Sequence, residues 1–83
     1  GKTVYAALHV LDASAGDTLD VIVQTDDGAG FASPTTLITF DQAAAVGAQF
    51  KTAAGNADDW YRVNFTIGGA GPSFKFVAVV GVR

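Results

Sequence analysis

The stretch that decides the fold is "WYRVNFTIG", residues 60–68. Tyr61, Val63, Phe65 and Ile67 are apolar, and Arg62, Asn64 and Thr66 between them are polar. Successive side chains of an extended chain point to opposite faces, so this alternation describes a strand with one face in a core and one in water. Working outward, "TLDVIVQT" (18–25) repeats the period with Leu19, Val21 and Val23 on one face. "KTVYAALHVL" (2–11) and "SFKFVAVVGV" (73–82) are apolar on both faces, the pattern of central strands or of strands covered by a neighbour. "TTLITF" (35–40) is a further short strand and "AQFKT" (48–52) a weaker one. The reading is a single all-β domain over residues 1–83, an antiparallel β-sandwich, jelly-roll or Ig-like, of about six to eight short strands. Its expected core holds Val21, Val23, Tyr61, Val63, Phe65 and Ile67.

The connections carry turn chemistry. Gly16 in "DASAGD" can take a positive φ at no steric cost. "GGAGPS" (68–73) reads as a hairpin loop between the last two strands. In "AAGNADD" (53–59), Asn56 and Asp58 can bond nearby backbone and turn the chain into the Trp60 strand. Residues 41–49, "DQAAAVGAQ", admit a short helix with Asp41 as N-cap, but Gly47 weakens it by about 1 kcal/mol relative to alanine, and an extended connection is preferred.

Chemistry is sparse. The 83 residues include no cysteine and no glutamate, so disulfides and thiolate metal sites are absent from the menu. The net charge is -3, and the basic residues Lys2, Lys51, Arg62, Lys75 and Arg83 are scattered, which speaks against a nucleic-acid footprint. No run of about 18 apolar residues is long enough for a membrane-spanning helix, and no membrane partner is expected. Yet 49% of the residues are hydrophobic, which on so small a body implies apolar surface covered by a partner. The sequence starts at Gly1, and we expect a processed chain, or the ordered part or C-terminal module of a longer protein.

Four stretches compete for a functional reading. "QTDDGAGFASPTT" (24–36) sets Asp26 and Asp27 beside Gly28. An EF-hand needs oxygen ligands at alternate positions and a closing glutamate, and neither is here. A calcium pair of Asp26 and Asp27 is the alternative to the preferred reading, an Asp-Gly turn in which Phe31 folds back over the sheet edge and Pro34 stops pairing. His9 is the lone histidine, expected to be hydrogen-bonded or partly buried, with no nucleophile or base implied at its side. "DDW" puts Asp58 and Asp59 on opposite faces of an extended chain, where they cannot flank one glycosidic bond. Trp60 shares the wet face with Arg62 and Asn64. There it is covered by the Phe31 or Phe50 segment, meets another subunit, or stacks on a sugar ring. No catalytic residue, cofactor or required metal is expected.

The order of these pieces resembles a β-sandwich module of small structural proteins in tailed bacteriophages and prophages. That family has an aromatic-led "ALHV" strand, a "VQSDD…F.SPTT…TF" stretch and a "YWR…TIGG..PSF.F…VG" ending. The matching pieces here are residues 5–10, 24–40 and 60–81. The resemblance spans nearly the whole chain and rests on fold motifs, so it carries over no catalytic residue. It implies a non-enzymatic virion protein, a capsid decoration or cement protein or a tail component, bound to capsid or tail subunits and homo-oligomeric or lattice-bound. The interaction surface expected on this reading is Trp60, Arg62, Asn64, Val77 and Val79. The competing reading is a carbohydrate-binding module that uses Trp60 on an exposed sheet face.

Overall fold

The computed structural model describes residues 2–13, 16–58, 60–69 and 74–83. They form six strands: β1 (Lys2–Ala13), β2 (Thr18–Asp26), β3 (Thr35–Thr39), β4 (Gly47–Asn56), β5 (Trp60–Gly68) and β6 (Phe74–Val82). One sheet has the order β4-β1-β6 and the other β3-β2-β5, with every pairing antiparallel. The protein is a three-on-three β-sandwich, and no helix occurs among the described residues.

The two central strands supply most of the core. Val4, Ala6, Leu8 and Val10 project from β1, and Leu19, Val21 and Val23 meet them from β2. The period of two fixes this: each strand commits one whole row of side chains to the space between the sheets. Ile38, Phe40 and Ala43 close the same cluster.

One long side of the sandwich is sealed by its own chain. After β3 the backbone stays beside β2, where Phe40 N–H donates to the Val21 carbonyl at 3.1 Å. Leu19 and Ala43 then exchange a pair of backbone bonds at 2.8 and 2.9 Å. Asp41 fastens the crossover to β4. Its N–H donates to Gln49 Oε1, its carbonyl accepts from Gln49 Nε2, and its carboxylate lies 3.3 Å from Lys51 Nζ. The segment over residues 41–46 is not helical: Ala43 bridges to Leu19 and residues 44–46 bend into β4, so the helix weighed for this stretch does not form.

The opposite side, between the edge strands β5 and β6, is not sealed. Tyr61, Val63 and Ile67 of β5 and Phe74, Phe76, Ala78 and Val80 of β6 face inward but are only half-buried. Phe65 corrects the expected core. It belongs to the inward row and packs edge-on to Phe76 at 5.3 Å, but 52% of its surface is exposed.

Three other expectations change. β5 and β6 lie in different sheets and so do not form the expected hairpin; Ala70 to Ser73 of the connecting stretch lie outside the described residues. The weak "AQFKT" strand is ten residues long, from Gly47 to Asn56, and takes in the first part of the "AAGNADD" stretch read as a turn. Gly55 takes φ 78° there, beside a register shift between β1 and β4. Finally, the strand expected to end at Gln24 or Thr25 runs one residue further, through Asp26. Gly16 has the positive φ foreseen, at 80°.

Candidate functional site

The Asp26–Asp27 stretch resolves as a clamped loop. Asp26 is the last residue of β2 and is buried. Its Oδ1 accepts from the Asp27 N–H at 2.7 Å, and its Oδ2 accepts from the Ser33 N–H at 3.1 Å. The carboxylate thus ties both ends of the loop that runs from β2 to β3. The bond from Ser33 is the main reason its pKa is lowered from the ordinary 3.8. Asp27 is shifted the other way: hydrogen bonding and like-charge repulsion from Asp26 raise it. Within the loop Phe31 holds φ at 49°, unusual for a non-glycine residue, and accepts the Arg62 guanidinium on its ring at 4.6 Å from the centroid. Phe31 therefore caps a side chain on the outer face of the sheet.

Asp58 is likewise committed to the fold. Its Oδ2 accepts from Thr25 Oγ1 at 2.8 Å, which joins the β4–β5 crossover to the end of β2. Its carbonyl accepts from Tyr61 Oη at 2.8 Å and from Asn56 Nδ2 at 3.1 Å, and Asn56 also donates to Tyr61 Oη. Asn56 thus bonds the backbone as the sequence suggested. Asp59, the other half of the "DDW" pair, lies outside the described residues. Among the described residues no cluster of three or more metal-ligating side chains occurs, and no enclosed pocket forms.

What remains are two sheet faces, and the five residues expected at interaction surfaces divide between them. Trp60, Arg62 and Asn64 lie on the outer face of the β3-β2-β5 sheet, across from Asp26, Gln24 and Ile22. That face is polar. Arg62 Nε donates to Gln24 Oε1 at 2.7 Å, and Gln42 Nε2 reaches the Asp20 carboxylate. Trp60 stands at its end, 48% exposed. Phe50 cannot cover it, because Phe50 belongs to the other sheet.

Val77 and Val79 lie on the opposite side of the molecule, on the outer face of β4-β1-β6. The register builds that face row by row. Val79, Ala7 and Phe50 form one row across the three strands, Val77, His9 and Ala48 the next, and Gly81, Tyr5 and Thr52 the one on the other side. The exposures are 67% for Phe50, 58% for Val79 and 50% for Val77. Tyr5 and Phe50 touch diagonally, with ring centroids 6.4 Å apart, and Arg83 lies 6.0 Å from the Tyr5 ring. His9, expected to be hydrogen-bonded or partly buried, sits exposed in the middle of this face. Sequence reasoning missed Phe50 as a member. The alternation of Ala48, Phe50 and Thr52 was visible, but the short strand assigned there gave no reason to place it beside β1.

Compared with protein families, with curated proteins and with solved structures, the chain matches none. The fold and these two faces are what a functional reading has to work with.

Proposed function

We propose that the protein is a non-enzymatic structural subunit of a tailed-phage virion, held on capsid or tail subunits by the outer face of the β4-β1-β6 sheet. The observation that carries the binding role is that this face turns a largely apolar surface to water around the exposed His9 at its centre. Phe50, Val77 and Val79 stand at its two edges, with Tyr5 and Ala7 between them. Soluble monomers rarely expose contiguous apolar patches above a few hundred Å², and larger ones mark interaction sites. Lattice assembly suits a small face, since symmetry repeats each contact many times. The virion context rests on the sequence resemblance.

The test is incorporation. Purified particles are probed for this chain by mass spectrometry, and Phe50→Asp is compared with the unmodified chain for binding to them. The expected variant folds and fails to bind. A folded Phe50→Asp that binds normally contradicts the face assignment, and absence of the chain from particles contradicts the virion role.

A second reading has its own observation, the half-exposed Trp60 beside Arg62 and Asn64 on a polar sheet face. A sugar ring stacked there would change the fluorescence of this lone tryptophan in a glycan titration, and an unchanged spectrum across a glycan panel rejects it.

A further inference from the structure

The two long sides of the sandwich differ, and the difference points to a second copy. One side is sealed by residues 40–46 and the Asp41 clamp. On the other, the inward rows of β5 and β6 stay half-exposed, and the β6 edge has no strand beside it among the described residues. Natural sheet edges are usually blunted by brevity, proline, charge or bulges. β3 is five residues long and follows Pro34. β4 carries Lys51, Gly47 and Gly55. β5 carries Arg62 and a polar outer row. β6 has nine residues and no proline; Lys75 is its one charge, Gly81 lies near its end, and its pairing with β1 is irregular only between Val10 and Asp12.

We infer that two copies of this chain join by antiparallel pairing of β6 with β6 across a two-fold axis at Ala78, making one continuous six-stranded sheet. The sequence of β6 is self-complementary in that register. On the inward face Ala78 meets Ala78 of the second copy, Phe76 meets Val80, and Phe74 meets Val82. Small residues thus lie at the centre and each large one faces a medium one. On the outward face Val77 meets Val79, and Lys75 meets Gly81, so no like charges oppose each other. Moving the axis one residue to Val79 would set Lys75 against Arg83, a repulsive cross-strand pair. Phe65, stacked on Phe76, is carried into the joint and loses its exposure.

The size is that of a weak, transient contact. Nine residues span about 30 Å, and the body is 15 Å thick. Roughly 450 Å² per copy, about 900 Å² in all, falls below the ~1,200 Å² of stable specific interfaces. The dimer is therefore expected to be concentration-dependent. This inference does not rest on the virion reading, and Phe50, on the far edge strand, lies outside the joint.

The experiment has two parts. Sedimentation equilibrium of the unmodified chain should show its 8.5 kDa mass doubling across the micromolar to millimolar range. The chain has no cysteine, so Ala78→Cys and Val79→Cys each introduce a single thiol. Cross-strand Cα separations of 4.5–5.5 Å allow a disulfide at the axis, whereas position 79 and its symmetry mate would be about 8 Å apart. Under mild oxidation Ala78→Cys should form a covalent dimer at least tenfold faster than Val79→Cys. A strict monomer at millimolar concentration overturns the proposal, as does equal or reversed cross-linking of the two variants. If Ala78→Cys fails to fold, the sedimentation result decides alone.

Discussion

At Gly69 the backbone holds φ 131°, and a Cβ added there would fall on the Asp17 carboxylate, which is itself buried. Two penalties coincide, a left-handed backbone and a clash. We expect Gly69→Ala to lose more than about 1 kcal/mol in chemical denaturation. The paired aspartates make a pH prediction of opposite signs. Asp26 has a lowered pKa, so its contribution is present above the ordinary 3.8 and is lost as pH falls through its lower folded value. Asp27 has a raised pKa, so its contribution is present below 3.8 and is lost as pH rises through its higher folded value. Asp26→Asn should therefore lower the melting temperature at pH 7, and Asp27→Asn should raise it. Both differences should shrink in melts at pH 3. Equal shifts at both pH values would mean that the loop is held by something other than this carboxylate.

Among the elements, β1 and β2 carry the fold because each lies at the centre of its sheet and buries a full row. Leu8 is fully buried, and Leu8→Ala should cost about 3 kcal/mol in urea unfolding, a large fraction of the stability of so small a domain. The row of β2 was legible from alternation alone, since Leu19, Val21 and Val23 are interrupted by Asp20 and Gln24. β1 was harder. Its Tyr5, Ala7 and Leu11 are as apolar as Val4, Ala6 and Leu8, so the pattern identified a strand without saying which face is inside. Phe65 was misread for a related reason. Period two gives the side of a strand correctly, but depth also depends on whether the strand is central or at an edge, which only the sheet order supplies. The Gly68–Gly69 loop was read as a hairpin because local turn chemistry cannot distinguish pairing within a sheet from passage between sheets.

At the scale of the whole molecule, three strands per sheet enclose one layer of core and leave three surfaces of different character. The outer face of β3-β2-β5 is polar and internally hydrogen-bonded. The outer face of β4-β1-β6 is largely apolar around His9 and open, and the β5–β6 side exposes part of the core itself among the described residues. Trp60, Arg62 and Asn64 were legible as outward-facing from alternation, whereas for Val77 and Val79, on a strand apolar on both sides, only the sheet order decides which side is outer. The central claim is that apolar residues on the two sides of the β4-β1-β6 sheet play different parts: one side makes the fold, the other meets a partner. Urea unfolding of Phe50→Asp and Leu8→Asp, compared by circular dichroism, tests it most directly, since Leu8 is buried on the inner side of the same sheet. Phe50→Asp should keep the β-sheet spectrum and a midpoint within about 1 kcal/mol of the unmodified chain, while Leu8→Asp, an unpaired charge in the core, should be unfolded without urea. If Phe50→Asp unfolds as Leu8→Asp does, the outer face is part of a core and the account is wrong.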